Sequence, residues 1–349
     1  MRLLVTGGAG FIGSNFIRWY LAQRREDEVI NVDLLTYAGN LENLREIEKN
    51  PAYSFVRADI NDRRAMREVF ARGVEAVINF AAESHVDRSI ESPQSFITTN
   101  VHGTLTLLSL ALEYGVKRFL QVSTDEVYGS SDREDFFTEE SPLVPSSPYA
   151  AGKAGADLLT GAFYRTYGLP VLITRCTNNY GPYQFPEKLI PLVIINALEN
   201  RALPVYGDGR QVRDWIFVTD HCRALAAVLE QGRPGEVYNI GGECRRTNLT
   251  VVREILKILG KPETLIRFVK DRPGHDRRYA VKNTRIKTLG WAPQVDFAAG
   301  LARTVRWYLE NREWWERVTS GEYREYYRRM YGRRLENKAG NGVDITNQL

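Results

Sequence analysis

Cysteine is scarce in this chain, and so is every other feature that would tie it to a disulfide scaffold, a metal or a membrane. Cys176, Cys222 and Cys244 are three in 349 residues, an odd number with no CxxC spacing, which points away from a disulfide framework or zinc site and toward a reducing compartment. Of the four histidines, His85 and His275 come with neither an HxxxH spacing nor a carboxylate cluster, so hydrogen bonding or core packing is expected of them and no metal. No apolar run reaches the length a membrane helix needs, so no membrane partner is expected. The start, Arg2 then Leu3-Leu4-Val5 and a glycine-rich turn, lacks the apolar core and cleavage site of a signal peptide, and a cytoplasmic location is expected. Charge of one sign is missing as well. The 47 Lys and Arg face 43 Asp and Glu, a net charge of +4 that calls for no nucleic acid and suits an anionic small ligand equally well. No internal repeat is visible.

What the chain does have is alternation. Leu3–Thr6, Glu28–Asp33, Tyr53–Val56, Val74–Phe80, Phe119–Ser123 and Val171–Arg175 read as buried strands, mostly separated by stretches long enough for a crossover helix. This predicts an α/β fold, a Rossmann-type doubly wound parallel sheet, with ligands at the carboxyl ends of its strands. After about Tyr180 proline, glycine and aromatic residues become frequent, as in Gly181-Pro182-Tyr183. Residues 1–180 are therefore expected to form the sheet domain and 181–315 a smaller, mostly C-terminal substrate-binding lobe, with Val237–Ile240 returning to the main sheet. Residues 316–349 are expected to be a C-terminal helix and a tail, disordered from Ala339 to Leu349.

Gly8-Ala9-Gly10-Phe11-Ile12-Gly13 follows the first strand and opens an apolar helical stretch. Glycine lets the backbone turn tightly against a pyrophosphate, which then sits on the positive end of the helix. Gly7, Gly10 and Gly13 give a second frame with the spacing of short-chain dehydrogenases. Such a triplet alone is weak, since strand-to-helix turns use glycine for structural reasons. Asp33, at the end of the second strand, strengthens it, unless it merely caps the next turn: a carboxylate there accepts from adenosine ribose hydroxyls and repels a 2′-phosphate, so NAD is expected rather than NADP. Asp59-Ile60, after the third strand, is placed to contact adenine, or simply forms a turn.

Tyr149 and Lys153 stand four residues apart, on one face of a helix that Pro148 helps to start. A free phenol has a pKa near 10. Lys153 and a nicotinamide charge are expected to lower that of Tyr149 and make it a base. Thr124-Asp125-Glu126 follows a buried strand, where Thr124 can bond both a substrate hydroxyl and the phenol. Capping a following turn is the plainer use of Ser, Thr and Asp there, and many Tyr/Lys pairs are solvated helix faces. The combination with a dinucleotide fingerprint favours catalysis.

At this point the sequence resembles the extended short-chain dehydrogenases that modify nucleotide sugars, and within them the dTDP-glucose 4,6-dehydratases, from Met1 to about Arg312. The resemblance rests on Thr6–Ser14, Asp33 with Leu35–Asn40, Ala81–Ser89, Ser123–Gly129, Tyr149–Lys153, Asn178–Pro182, Phe185–Pro191 and Asp271–Asp276. Epimerases of this superfamily lack the adjacent pair that stands here at Asp125-Glu126. The resemblance implies that Tyr149 takes the proton of the sugar 4-hydroxyl while C4 gives hydride to NAD, that Glu126 removes the C5 proton as base, and that Asp125 as acid helps the 6-hydroxyl leave as water. It implies contacts to the cofactor from Gly7, Gly10, Phe11, Ile12, Gly13, Asp33, Leu35, Thr36, Ala38, Gly39, Asp59, Ile60, Phe80, Ala81, Ala82, Thr99, Tyr149, Lys153 and Asn179. For the sugar nucleotide, dTDP-glucose, it implies Ser84, Thr124, Asn178, Lys188, Leu189, Pro204, Tyr206, Arg213, Asn248, Arg272 and His275. Arg213, whose planar fork suits a diphosphate, could instead form a surface ion pair beside Asp214.

The apolar run Leu105–Leu112 packs on its own sheet or, as the resemblance implies, also forms a homodimer through a four-helix bundle. The basic, aromatic segment from Trp314 to Lys338 matches nothing placed in the family and reads as a surface helix able to fold back on the core. Rival readings are a UDP-glucose 4-epimerase, which has no need of the acid pair; a GDP-mannose dehydratase, whose usual NADP Asp33 disfavours; a UDP-glucuronate decarboxylase, which needs room for another carboxylate; and a silent dinucleotide sensor or RNA-binding protein.

Overall fold

The computed structural model describes residues 1–131, 136–332 and 335. The expected disordered tail, 339–349, lies outside the described residues.

Strands that are apolar at nearly every position need cover on both faces, and helices supply it. The chain runs through β1 (Arg2–Thr6), β2 (Glu28–Asp33), β3 (Tyr53–Arg57), β4 (Ala76–Asn79), β5 (Arg118–Thr124) and β6 (Val171–Cys176) with helices between them. It then forms β7 (Asn178–Tyr180), β8 (Leu203–Tyr206), β9 (Val212–Phe217), β10 (Val237–Ile240), β11 (Arg245–Thr247) and β12 (Ile266–Val269). Seven of these make one parallel sheet in the order β10-β6-β5-β4-β1-β2-β3. This is a Rossmann-type α/β fold. β10 pairs with β6 from Val237 opposite Ile173 to Ile240 opposite Cys176, so the chain does return to the sheet after leaving it. The stretch expected as a buried strand at Tyr53–Val56 is half-exposed, because β3 is the sheet's edge and has a neighbour on one side only.

Side chains alternate across the sheet and divide its core in two. Leu3, Val5 and Val29 join one cluster, and Leu4, Ile30 and Val32 join the other. A third cluster lies outside the sheet, where Tyr180, Ile194, Trp215, Phe217 and Leu301 pack with Trp314 and Trp315. The segment from Trp314 lies against the core through its two indoles, while Glu316 and Arg317 stay exposed. Trp314 and Trp315 are 6% and 2% exposed, and the indole N–H of Trp314 donates to Asn43 Oδ1 at 2.9 Å. No helix of the described residues is long and apolar enough to cross a membrane.

The strand order reverses between β1 and β4. In doubly wound sheets the crevice beyond that reversal is where a ligand enters.

Candidate active site

A cavity of about 310 Å³ opens at this reversal. Its floor is the turn after β1. Gly7 has a φ of +69°, and a Cβ there would come within 2.6 Å of Ala81 N, where the chain leaves β4. At Gly13 a Cβ would come within 2.5 Å of Gly7 O. Three backbone segments therefore approach more closely than any side chain permits, which leaves a cradle for a large anionic group at the start of the helix Phe11–Gln23. Asp33 ends β2 beside it; its carboxylate accepts the amides of Ala9 at 2.9 Å and Leu35 at 2.8 Å and holds the turn in place. Gly7, Gly10, Phe11, Ile12, Gly13, Asp33, Thr36, Ala38, Gly39, Asp59, Ile60, Phe80, Ala81, Ala82, Thr99 and Asn179 all border the cavity. Leu35 does not; its amide serves Asp33 and its neighbour Leu34 takes the bordering place. Thr99 belongs to a one-turn π-helix, Thr98–Gly103, a distortion common at functional sites. Glycines at the two tight approaches and an acid at the end of β2 fit a dinucleotide.

The opposite wall is the end of β5. Thr124 caps a short helix, Asp125–Tyr128, by accepting the Glu126 amide at 3.2 Å, and this turn brings both carboxyl groups to the cavity. Facing them is the helix Pro148–Tyr167. Its N-cap Ser147 accepts the Ala150 amide, Pro148 occupies the first turn, and Tyr149 and Lys153 follow on one face. The Thr124 hydroxyl donates to Asp125 Oδ1 at 3.3 Å and borders the cavity together with the Tyr149 phenol. Lys153, 5% exposed, donates to Val122 O at 2.6 Å.

The electrostatics separate the two acids. Burial pushes Asp125 well above the usual carboxylate range, and the charge on Glu126 pushes it further; Arg213 opposes weakly. Burial also raises Glu126, but Arg272, Lys188 and Arg213 all pull it back. A proton shared between these neighbours is therefore favoured on Asp125 over Glu126. Asp125 Oδ2 is buried with no partner among the described residues, as are Ser123 Oγ, Thr177 Oγ1 and Asn179 Oδ1, and all four residues border the cavity.

In the protein alone, burial pushes the Tyr149 phenol well above 10, and Glu126 and then Cys176 add to the rise. Burial lowers Lys153, and Asp157, one helical turn on, supports its charge.

The sugar-nucleotide residues divide into two groups. Ser84, Thr124, Asn178 and Lys188 border the cavity, and Lys188 Nζ donates to Ser84 O at 2.8 Å. Leu189, Pro204, Tyr206, Arg213, Asn248, Arg272 and His275 do not border it. Several of these are tied together beside it. Arg213, on β9, donates to Asp276 O at 3.0 Å and stacks on Tyr279. Arg272 pairs with Asp87 at 3.2 Å, and Tyr206 on β8 donates to the same carboxylate at 2.9 Å. His275 lies 2.5 Å from Asp271 Oδ1, and Gln211 links Asp271 to the backbone of Asn248. Burial, then Arg272 and Arg213, push His275 down to about 4, so it is neutral at physiological pH. Leu189 and Pro204 lie in the helix Leu189–Leu198 and in β8. Among the described residues no group of His, Cys, Asp and Glu could hold a metal.

Sequence reasoning missed Cys176, Thr177, Gln184, Phe185 and Glu187, which also border the cavity. Glu187 stands beside Lys188 and could have been read from that neighbour; the others carry no local signal.

A family model described as GDP-mannose 4,6 dehydratase matches residues 4–304. A dTDP-glucose 4,6-dehydratase of Escherichia coli is 52% identical, with 93% of this chain and 98% of the relative aligned. One from Neisseria meningitidis serogroup B is also 52% identical, over 93% and 97%. Among solved structures, the dTDP-glucose 4,6-dehydratase of Streptomyces venezuelae with NAD bound is 55% identical at a TM-score of 0.89, covering 91% of this chain and 100% of that one. A UDP-glucose 4-epimerase of Thermotoga maritima with UDP-glucose is 32% identical at a TM-score of 0.83, covering 89% and 99%.

Proposed function

This chain belongs to the family described as GDP-mannose 4,6 dehydratase, and we propose that within it the chain is an NAD-dependent hydro-lyase, a dTDP-glucose 4,6-dehydratase. It converts dTDP-glucose to dTDP-4-keto-6-deoxyglucose and water. The observation that carries this reading is the acid pair at the cavity, Asp125 raised well above the usual range by burial and by Glu126, and Glu126 beside it raised by burial but pulled back by Arg272, Lys188 and Arg213. Neighbouring acids in opposite protonation states suit the removal of water from two adjacent carbons, and an epimerase has no use for them.

The turn Gly7–Gly13 would hold the pyrophosphate of NAD, Asp33 the adenosine ribose and Asp59-Ile60 the adenine, with Phe80–Ala82, Thr99 and Asn179 at the nicotinamide end. When bound, NAD would accept the C4 hydride in its oxidised form and give it back in its reduced form, and its positive ring would draw the Tyr149 phenol down. Thr124 orients the 4-hydroxyl, and Tyr149 takes its proton. The ketone formed at C4 acidifies the C5 proton, which Glu126 removes. Asp125 gives its proton to the departing 6-hydroxyl, and water leaves a C5=C6 double bond; the hydride taken from C4 would then return to C6 and a proton to C5, which gives the 4-keto-6-deoxy sugar. Lys188, Arg213 and Arg272 meet the diphosphate, and residues 181–315 supply most of that side.

A homodimer is part of this reading. Leu105, Leu112 and Leu158 are 41%, 38% and 60% exposed on two helices that pack together, Thr104–Glu113 and Pro148–Tyr167, an apolar face suited to a second copy. A cytoplasmic location goes with a sugar-nucleotide substrate.

Incubation with dTDP-glucose and, separately, UDP-glucose, without added oxidant, tests the reading by mass. Loss of one water from the thymidine substrate is expected; a 4-epimer of unchanged mass, or no product, sinks it.

A further inference from the structure

Arg88 lies between two aromatic rings. Its guanidinium carbon is 3.9 Å from the ring centroid of Tyr37 and 4.1 Å from that of Tyr326. At its edge, Nε is 3.3 Å from Glu187 Oε2, and the Tyr37 hydroxyl donates to the other oxygen of the same carboxylate at 3.1 Å. The Tyr326 hydroxyl lies 3.2 Å from His85 Nδ1. Four separate segments thus meet at one cation: the turn after β2, the helix Val86–Glu91, the loop before Lys188, and the helix Glu322–Tyr327.

The position of this knot matters more than its strength. Arg88, Tyr37 and Tyr326 do not border the central cavity, but Glu187 and the chain neighbours of Tyr37 do. Thr36, Ala38 and Gly39 flank Tyr37 at the cofactor end, and Lys188 follows Glu187 at the sugar-nucleotide end. Glu187 is 7% exposed and needs a cation, and a guanidinium offers two flat faces to the rings while its edge serves the carboxylate. Ordering either the Tyr37 turn or the Glu187 loop completes half of the Arg88 site and lowers the cost of ordering the other.

We propose that Arg88 is a positioning residue that couples retention of the dinucleotide to seating of the sugar nucleotide, by tying the Tyr37 turn to Lys188 through Glu187. This rests on the dehydratase reading. Binding free energies are reciprocal, so dTDP slows the loss of NAD from the holoenzyme, roughly tenfold for coupling of ordinary size.

The test uses the full chain, purified with NAD bound, as wild type and as Arg88→Ala, Arg88→Lys and Tyr326→Leu. NAD loss on gel filtration is followed with and without saturating dTDP, beside KM and kcat for dTDP-glucose. In Arg88→Ala the effect of dTDP on NAD loss disappears and KM rises about tenfold, while kcat stays within about twofold. Arg88→Lys restores part of the coupling, because it returns charge to Glu187 without the flat faces, and Tyr326→Leu loses part of it. If dTDP protects NAD equally in wild type and Arg88→Ala, or if the variants lose only thermal stability and leave that protection intact, the proposal is overturned. Failure of the dehydratase reading shows separately, as wild-type protein that removes no water from dTDP-glucose.

Discussion

On the catalytic side of the cleft, Thr124, Asp125, Glu126, Tyr149 and Lys153 come from two short runs, one at the end of β5 and one in the first turns of a helix. On the sugar-nucleotide side, Lys188, Arg213, Arg272 and His275 come from separate segments, held by Ser84 O, Asp276 O, Asp87 and Asp271. Backbone geometry places the first set, and side-chain ties place the second. Substitution on the catalytic side should therefore remove chemistry and leave the architecture standing, whereas substitution opposite should disturb several neighbours at once.

Asp125→Asn breaks the comparison most severely if it is wrong. Asparagine keeps the shape but has no acidic proton, so turnover should fall about 10²- to 10⁴-fold with KM little changed. C4 oxidation should survive. Stopped-flow absorbance of reduced nicotinamide should show it accumulating while water loss fails, and an equal fall in both steps contradicts the assigned role.

Trp315→Ala asks whether the third core, beyond the sheet, is as firm as the first two. Trp315 is 2% exposed and its indole donates to Tyr308 O, so truncation should cost about 3–5 kcal/mol in denaturant unfolding. A loss under about 1 kcal/mol would return the segment to the status of a surface helix.

How much of this was legible in the sequence follows the same division. The strand bounds Glu28–Asp33 and Val237–Ile240 are those of the folded chain, because β-branched runs covered on both faces advertise themselves. Val74–Phe80 came out shorter, as Ala76–Asn79, since hydrophobicity continues into the flanking turns while pairing does not. The catalytic runs were legible because each is contiguous. The convergence of Arg213, Arg272 and Lys188 on Glu126 was not, since nothing local links those residues. The C-terminal wall left one unused trace: Tyr323, Tyr326, Tyr327 and Tyr331 recur at helical spacing, and Tyr323 donates to Pro186 O at 3.1 Å. The burial of the Tyr149 phenol was not legible either, because the pair Tyr149/Lys153 gives spacing and says nothing of what covers it.

Arg272→Ala separates the two sides through one residue. Arg272 pairs with the buried Asp87 and is first among the cations that hold Glu126 down against burial. Its loss should raise KM for dTDP-glucose about 10- to 100-fold, as expected for a charged contact. Glu126 then rises, so the acid limb of the kcat/KM profile should move to higher pH. An unmoved limb would mean that Arg272 serves binding alone.

The smallest effect tests the material between the two sides. The helix Val218–Gln231 packs against β5 and β6 of the main sheet and against β7 and β9 of a second, three-stranded sheet ordered β11-β9-β7, and it carries His221, fully buried. Neither ring nitrogen has a partner among the described residues, and burial alone pushes the imidazole down to about 3. The folded state therefore resists a proton that the unfolded chain accepts below about pH 6.5. Stability from this residue is complete above that pH and is lost as pH falls toward 3, by about 2 kcal/mol at pH 5. Leucine fills a similar volume and leaves no unmet polar atom, so His221→Leu should be neutral or stabilising at pH 7 and should flatten the decline to pH 5 by about that amount. Denaturant unfolding of both proteins at the two pH values measures it; parallel declines would mean that the ring finds a partner in solution and that the join between the sheets is more polar than its packing shows.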